Sequence, residues 1–437
     1  MQNIDTLIHA KWLIPVEPQA TVYENYSIAL DKGRILALLP SGKANTQYNA
    51  SEVHQLDNHA LLPGLINTHG HAAMTLMRGL ADDLPLMTWL NEHIWPTEAK
   101  WVSNEFVYDG SLIACAEMLR GGTTCFTDMY FFPEEVARAA KQAQIRASVG
   151  LIVIDFPSAY AQDADEYLRK GLALHDQLRG NPLIKTSFAP HAPYTVADNA
   201  LQKVNTLAEE LDIPIQIHLH ETEDEINQAV KETGQRPIER LENLGLLSSR
   251  LVAVHMTQLT DKEIQTLATY GVQVAHCPES NLKLASGFCP VQKLLDAEIN
   301  VSLGTDGAAS NNDLDMFSEM RTAALLAKAV AKDARAVSAE QALRMATING
   351  AKALGLDNET GSLEIGKAAD MIAVDLSALE TQPMYSPVSQ LVYVANRQQV
   401  SDVWVAGNHV VKQHQLTTLD SEQLCKTAQQ WQQKINA

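Results

Sequence analysis

The chain has 437 residues, of which 46% are hydrophobic, and its formal net charge at pH 7 is −19. No apolar run approaches the ~20 residues needed to cross a bilayer, and the negative charge disfavours binding to nucleic acid or to anionic membranes. The five cysteines are scattered and never form a Cys-x-x-Cys pair, which argues against a disulfide framework and a cysteine zinc site. The N-terminus lacks the basic start and cleavage site of a signal peptide, so we expect a cytoplasmic protein. The negative charge favours a small-molecule partner, and a homo-oligomer stays open.

The two ends of the chain carry sets of short strand patterns separated by turn residues. The first set comprises Asp5–Ala10, Trp12–Pro15, Tyr26–Leu30 and Arg34–Leu39. The second set comprises Asp370–Asp375, Gln390–Val394, Val400–Val405 and His409–Lys412. We expect residues 1–60 and 363–437 to pair into one small composite β-sandwich domain, with a helix at the C-terminus.

Residues 61–362 alternate apolar strand patterns with segments of helical period. Helices are predicted at Asp198–Leu211 and at Thr260–Tyr270, and the second opens with a capping box. The strand patterns are Leu61–Thr68, Thr123–Asp128, Arg146–Ile152, Ile184–Ala189, Pro214–His218, Leu251–His255, Val272–His276 and Asn300–Thr305. This alternation is typical of a (β/α)8 TIM-like barrel. A doubly wound open sheet is the alternative, although no Gly-x-Gly-x-x-Gly motif follows any strand.

Polar side chains that can bind metals or transfer protons follow nearly every predicted barrel strand. Because barrel enzymes build their active sites at the C-terminal ends of the strands, this distribution predicts a catalytic barrel. The residues concerned are His69, His71, Asp128, His191, His218, His255, His276 and Asp306.

The segment LLPGLINTHGHAAM places two histidines, His69 and His71, at the exit of a buried strand. Side chains in a strand alternate between faces, so residues two apart can present two imidazoles to one ion. Taken alone, a His-x-His motif fits a surface loop equally well. The remaining strand ends favour the metal site.

Several segments resemble signature motifs of the amidohydrolase superfamily, in particular its deaminase and chlorohydrolase branch. In chain order they are PGLINTHGH, HLHET, AVH, HCPESNLKL, LGTDGAASNNDLDM and GSLEIGKAADMIAVD, the last resembling the return of such enzymes into their β-sandwich. Within that branch, MTWLNEHIWPTE and SFAPHAPYT are similar to the 5'-methylthioadenosine/S-adenosylhomocysteine deaminase family. The resemblance spans essentially the whole chain. It implies hydrolytic deamination of an adenosine-type nucleoside (5'-methylthioadenosine, adenosine or S-adenosylhomocysteine) to the inosine analogue and ammonia.

Two other functions stay open on the sequence alone. One is a deaminase or chlorohydrolase of another amidine-like heterocycle such as guanine, cytosine or a triazine, and a dependence on ribose would separate these substrates. The other is a catalytically inactive barrel that serves as a scaffold. That function would require missing ligands, and none is missing here.

A metal site is expected from His69, His71, His218 and Asp306. Three neutral imidazoles and one carboxylate suit zinc or iron(II) and leave a position for water. We predict zinc. Relatives with two metals use a carboxylated lysine at the end of the fourth strand, where this chain has His191. One ion per chain is therefore expected.

Three residues are candidates for catalysis. Asp306 can contact both the metal and the attacking water and so accept the proton of that water. Glu221 follows His218 by three residues, and its carboxyl can protonate a purine ring nitrogen and then help deliver protons to the departing ammonia. His255 is expected to hydrogen-bond the attacking water and to shuttle protons.

The competing interpretation of Glu221 is a solvated acid in the run ETEDE. Its neighbours Glu223, Asp224 and Glu225 are interpreted in that way. For His220, which follows His218 in the same segment, we expect a side chain that faces away and packs or hydrogen-bonds a ligand from behind.

Substrate binding is assigned mostly by resemblance. Glu98, in an aromatic-rich segment, should accept both ribose hydroxyls, because a carboxylate can take a bidentate pair. His191 should hydrogen-bond the purine edge, and Glu221 and Asp306 complete the set that contacts substrate. Many relatives carry an arginine after the third strand that can hold a homocysteine carboxylate, and none can be placed there in this chain, although Arg138 could swing in from another loop. We therefore expect 5'-methylthioadenosine and adenosine to be preferred over S-adenosylhomocysteine.

Overall fold

A computed structural model of the chain describes residues 1–436. In chain order its strands are β1 (Gln2–Leu13), β2 (Tyr23–Asp31), β3 (Arg34–Pro40), β4 (Tyr48–Pro63), β5 (Leu65–Asn67), β6 (Thr123–Asp128), β7 (Arg146–Val153), β8 (Ile184–Pro190), β9 (Ile215–Leu219), β10 (Leu251–His255), β11 (Gln273–His276), β12 (Val301–Leu303), β13 (Met371–Asp375), β14 (Val400–Val405), β15 (Asn408–Lys412) and β16 (Gln415–Leu416).

Many α-helices flank the barrel strands, and the first helix of the chain packs against β2, β3 and β4. In chain order they are α1 (Ser41–Gln47), α2 (Leu86–Trp89), α3 (Trp95–Trp101), α4 (Asn104–Arg120), α5 (Pro133–Ala143), α6 (Ala164–Leu178), α7 (Asp198–Leu211), α8 (Glu223–Thr233), α9 (Pro237–Asn243), α10 (Asp261–Tyr270), α11 (Pro278–Lys283), α12 (Val291–Asp296), α13 (Met316–Ala331), α14 (Ala339–Met345), α15 (Ile348–Ala353), α16 (Pro387–Tyr393) and α17 (Ser421–Asn436). Turns of 3-10 helix cover Ala72–Met77, Leu379–Thr381 and Arg397–Gln399, and a π segment covers Leu90–Ile94. Within residues 1–436 no helix is both long enough and apolar enough to cross a membrane.

Strands β5 to β12 form a parallel sheet in sequential order. The first and last strands of this sheet, β5 and β12, lie close together. The backbone N–H of Thr68, directly after β5, donates to the carbonyl of Leu303 in β12 over 2.9 Å. The ladder is thereby nearly closed, and apolar side chains from the strands and the surrounding helices form one large core. The predicted (β/α)8 barrel is confirmed.

The remaining strands form one mixed sheet from both chain ends, in the order β16-β15-β14-β13-β4-β1-β2-β3. Strand β4 pairs in parallel with β1 and antiparallel with β13, so Leu62 lies opposite Ile372. This confirms the small β domain built from the two chain ends. The proposed boundaries at residues 60 and 362 stay a prediction.

Three strand predictions are wrong. Asp5–Ala10 and Trp12–Pro15 are not separate strands, because β1 runs without a break from Gln2 to Leu13. The predicted strand Leu61–Thr68 is divided at Gly64 between the small sheet and the barrel. Gly64 packs so closely that an added Cβ would lie 2.0 Å from Oγ1 of Thr124, and this contact leaves room only for glycine at the crossing point. Residues Gln390–Val394, predicted as a strand, lie largely in helix α16, whose N-cap is Ser386.

A buried ion pair joins the barrel to the small sheet. Arg146, at the first position of β7, donates from Nε to Oδ2 of Asp370 over 2.7 Å and from a terminal nitrogen to Oδ1 over 3.2 Å. Both residues are buried, and Arg146 also donates to the carbonyl of Pro182. Arg146 therefore lies at the N-terminal end of its strand and is already paired.

Candidate metal centre and active site

Four predicted ligands meet at the C-terminal ends of the barrel strands. One potential ligand atom from each of His69, His71, His218 and Asp306 lies within 4.8 Å of all the others. Nε2 of His69 is 3.1 Å from Nε2 of His218 and 3.4 Å from Oδ1 of Asp306, which is 3.1 Å from Nε2 of His71. Ligand atoms around a tetrahedral zinc ion are separated by about 3.3 Å. The donor set therefore fits one divalent cation.

Hydrogen bonds from Nδ1 orient the imidazoles of His71 and His218 so that Nε2 faces this centre. Nδ1 of His71 donates to the carbonyl of Met129 over 2.6 Å, and Nδ1 of His218 donates to the carbonyl of His191 over 2.7 Å. In the neutral form of both rings, Nε2 therefore carries no proton and faces the other ligands. This is the usual way in which a protein fixes the tautomer of a metal-binding histidine.

The two carboxylate oxygens of Asp306 have different partners. Its Oδ2 accepts hydrogen bonds from the hydroxyls of Ser280 (2.5 Å) and Ser310 (2.8 Å), so that Oδ1 is directed at the histidines. The backbone of Asp306 is left-handed, with φ of 63°. Burial opposes ionisation, but hydrogen bonds from His69 and His71 outweigh it and hold the pKa of Asp306 well below its usual range. Asp306 is therefore a carboxylate near neutral pH.

The histidine protonation states fit cation binding. Burial lowers the pKa of His69 to about 4 and that of His218 well below its usual value, which favours the neutral imidazole. Burial also lowers the pKa of His71, but the hydrogen bond and the charge of Asp306 raise it to about 9. A cation at this centre would displace the proton of His71.

Glu221 and His255 lie beside the four ligands. Oε2 of Glu221 is 3.9 Å from Nε2 of His255, and both side chains are buried. Burial, assisted by the negative charge of Asp306, raises the pKa of Glu221 to about 8. Nδ1 of His255 donates to Oδ1 of Asn281 over 2.9 Å, which turns its Nε2 toward the pocket. The site thus holds an ionised carboxylate, Asp306, and a protonated carboxyl, Glu221.

Glu98 and His191 face the same pocket from other elements. Glu98 lies on α3, the helix that directly follows the π segment. Its Oε1 accepts a hydrogen bond from the hydroxyl of Tyr130 over 2.6 Å. Burial raises the pKa of Glu98 to about 7. His191 follows β8 and is hydrogen-bonded through Nδ1 to the hydroxyl of Thr195. Burial lowers its pKa to about 3, so the ring is neutral.

A cavity of about 480 Å³ is lined by all of the predicted site residues except His69, namely His71, Glu98, His191, His218, Glu221, His255 and Asp306. Its walls are mainly apolar and come from residues 86–102 and 129–159, including Trp89 and Trp95. Its charged groups are acids and histidines, and in the described part of the chain no lysine or arginine lines it. Arg138, considered for this pocket, instead pairs with Glu135 and lies 3.7 Å from the ring centre of Tyr108. The pocket is therefore an apolar cleft with an acidic floor.

Some strand-end residues serve other purposes. His276 is buried but does not line the cavity. Asp128 accepts a hydrogen bond from the backbone N–H of Ala72 over 2.6 Å and so supports the loop that carries His71. As predicted, His220 faces away, where it donates to the carbonyl of Gln258.

Sequence reasoning missed several supporting residues. Ser280 and Asn281 stand within the quoted segment HCPESNLKL, and their position directly after a barrel strand was an available signal. Tyr130 follows Asp128 by two residues, so strand alternation could have placed it near the site. The interpretation of Glu225 as a solvated acid is wrong, because only 9% of this residue is exposed.

Comparisons with known proteins agree with this architecture. The sequence model described as "Amidohydrolase family" matches residues 60–410. The 5-methylthioadenosine/S-adenosylhomocysteine deaminase of Teredinibacter turnerae is 51% identical over 100% of this chain and 98% of its own length. The protein of the same name from Saccharophagus degradans is 50% identical over 99% of this chain and 97% of its length.

Solved structures are similar as well. An adenosine deaminase from Xanthomonas campestris with bound zinc superposes with a TM-score of 0.99 at 53% identity, covering 100% of this chain and 99% of that one. Atrazine chlorohydrolase from Arthrobacter aurescens, at 23% identity and a TM-score of 0.90, covers 98% of this chain and 99% of that one, and it shares the fold. The match to the family model and the identity to full-length relatives lead to one conclusion: the chain belongs to the amidohydrolase family.

Proposed function

We propose that this chain is a metal-dependent hydrolase that deaminates adenosine-type nucleosides at C6, releasing ammonia and the inosine analogue. The observation that carries the proposal is the buried His3Asp donor set beside the protonatable carboxyl of Glu221, at the floor of an apolar cleft. The names of the full-length relatives, both nucleoside deaminases, support the same reaction.

The donor set His69, His71, His218 and Asp306 is proposed to hold one zinc ion per chain, with iron(II) as the alternative. A divalent cation there would lower the pKa of a water molecule and polarise it for attack. The zinc bound to the Xanthomonas campestris enzyme supports the choice of metal.

The side chains around the donor set are proposed to move the protons. Asp306 accepts a proton from the attacking water as its oxygen bonds to C6 of the purine. Glu221 donates its proton to the adjacent ring nitrogen, which makes C6 more electrophilic. His255 hydrogen-bonds the water through Nε2 and passes protons toward the amino group. The amino group takes up the proton that Asp306 accepted from the water, the C6–N bond breaks, and ammonia leaves. The C6 hydroxyl returns its proton to Glu221 as the 6-oxo group forms.

Glu98 and His191 are proposed to bind the nucleoside. Glu98 accepts hydrogen bonds from the ribose hydroxyls, and the hydroxyl of Tyr130 holds its carboxylate in place. His191, a neutral imidazole, hydrogen-bonds the purine edge.

The 5' end of the substrate is proposed to be apolar or small. A homocysteine group would bring its carboxylate into a cleft whose nearest charges are acids, and an unpaired buried charge is costly. Arg146 cannot supply the missing cation, because it is buried against Asp370 at the other end of its strand. We therefore propose 5'-methylthioadenosine and adenosine as better substrates than S-adenosylhomocysteine.

An ammonia-release screen of the zinc-loaded protein tests these statements. Its substrates are adenosine, 5'-methylthioadenosine, S-adenosylhomocysteine, adenine, guanine and cytosine. Nucleosides should exceed free bases in kcat/KM. A free base as the best substrate, or no ammonia from any nucleoside, would refute the proposed function. A tenfold advantage of S-adenosylhomocysteine would overturn only the proposal for the 5' end.

A further inference from the structure

One acid at the active-site end of the barrel is buried and has no part in the reaction described above. Glu225 lies in the first turn of α8, and only 9% of it is exposed. Its Oε1 accepts a hydrogen bond from the backbone N–H of His220 over 3.1 Å, and its Oε2 accepts one from the backbone N–H of Glu221 over 2.7 Å. Both donors precede the helix, so the side chain folds back over the loop that leaves β9.

The backbone of that loop has an unusual conformation at His220, directly before Glu221. His220 has a left-handed φ of 53°, which is uncommon for a residue with a side chain. The carbonyl of Glu221 accepts a hydrogen bond from the hydroxyl of Thr257 over 2.7 Å. Its N–H is held by Glu225 and its carbonyl by Thr257. The backbone of the proposed proton donor is thus fixed on both sides.

We propose that Glu225 is a positioning residue that holds the backbone of Glu221, so that the Glu221 carboxyl lies beside His255 and over the metal centre. The inference rests on the proposed function for the role of Glu221. Burial raises the pKa of Glu225 to about 7, and the backbone N–H groups that donate to its two oxygens favour the ionised form. A carboxylate suits this task because both of its oxygens accept hydrogen bonds and neither donates. A glutamine at this position would direct an NH2 group at one of the two backbone N–H groups.

The alternative is that the Glu225 carboxylate only stabilises the start of α8. The N-cap of α8 is Thr222, whose hydroxyl accepts a hydrogen bond from the N–H of Glu225 over 3.2 Å. The start of the helix is therefore secured independently of the Glu225 carboxylate. Glu223, in the same turn, is exposed and provides a matched substitution of the same chemistry.

The first experiment compares Glu225→Gln with Thr222→Ala and Glu223→Gln in steady-state deamination of 5'-methylthioadenosine. Glu225→Gln should lower kcat by roughly 10- to 100-fold, the scale for misplacing a catalytic group, while KM changes much less. Thr222→Ala should lower Tm and Glu223→Gln should leave it unchanged, and both should keep kcat. Equal kcat in Glu225→Gln and Thr222→Ala would overturn the proposal.

A double-mutant cycle then asks whether Glu225 acts through Glu221. In a Glu221→Gln background, Glu225→Gln should cause little further loss, because residues that act as a unit are not additive. Additive losses would mean a general structural role and would overturn the proposal. If Glu225→Gln does not fold, Thr257→Val, which frees the carbonyl of Glu221, takes its place in the same cycle with the same two outcomes.

Amide hydrogen exchange gives a readout that does not depend on activity. Exchange in the peptide that spans residues 219–224 should be faster in Glu225→Gln than in the unmodified chain and unchanged in Glu223→Gln. Unchanged exchange in Glu225→Gln would overturn the inference. An unmodified chain that deaminates no nucleoside would refute the proposed function instead, and the exchange result would still decide whether Glu225 holds this loop.

Discussion

Replacing Glu221 by glutamine tests the proposed proton donor most directly. The change keeps the shape of the side chain and its ability to hydrogen-bond, but it removes the proton that can be transferred. Burial raises the pKa of Glu221 to about 8, so at pH 7 about nine-tenths of the molecules carry that proton. General acid-base groups contribute at least about 10²-fold to turnover, which corresponds to about 2.7 kcal/mol of activation free energy.

The assay is ammonia release from 5'-methylthioadenosine by the zinc-loaded protein between pH 6 and 9. Glu221→Gln should lower kcat by ~10²-fold or more, while the exposed control Glu223→Gln should have little effect. The protonated acid is the active form, so kcat/KM of the unmodified chain should fall as pH rises through about 8. This alkaline decline should be absent from the residual activity of Glu221→Gln. Equal, mild losses in both variants would show that Glu221 is an ordinary acid and would refute the reasoning.

Three further predictions concern other parts of the molecule. Asp306→Asn should abolish almost all deamination because a ligand and the proton acceptor change together, and elemental analysis of the unmodified chain should find one ion; two ions, or an active variant, would contradict this. Glu98→Ala should reduce kcat/KM for nucleosides by about 1.5–3 kcal/mol, the cost of a hydrogen bond to a charged group, and should not affect free bases; equal losses for both would place Glu98 away from the ribose. Asp370→Ala should destabilise the fold by about 3–5 kcal/mol, measured as a lower Tm, because the buried Arg146 loses its bidentate partner and keeps only the carbonyl of Pro182 and a carboxylate oxygen of Glu359 at 3.9 Å. The control Asp176→Ala, at an exposed ion pair with Arg179, should leave Tm nearly unchanged, and similar Tm values for the two variants would show that the buried pair does not matter.

The barrel could be predicted from the sequence because its signals are local. Each strand is a short apolar run, and side-chain alternation brings His69 and His71 to one face. Once the strands are ordered, the C-terminal ends place His218 and Asp306 at the same edge, as the structure shows.

The details that could not be predicted depend on contacts between distant residues. The division of the strand at Gly64 follows from the approach of Thr124, and the partner of Arg146 lies 224 residues away. The sequence predicts a solvated acid at Glu225, because this residue stands in a run of charges. Only the folded loop shows that its carboxylate accepts hydrogen bonds from two backbone N–H groups. Long-range packing of this kind has no periodic signature.

The small sheet has a consequence for synthesis of the protein on the ribosome. Strand β4 is 16 residues long, and one of its edges receives β13, which emerges only after the whole barrel has been translated. Until then the nascent chain presents unpaired backbone groups along His59–Pro63, the kind of open edge that recruits other strands. Premature termination before residue 371 would make this exposure permanent. Truncated products should therefore aggregate or be degraded, and chaperone binding to the nascent chain should end when Met371–Asp375 takes its place.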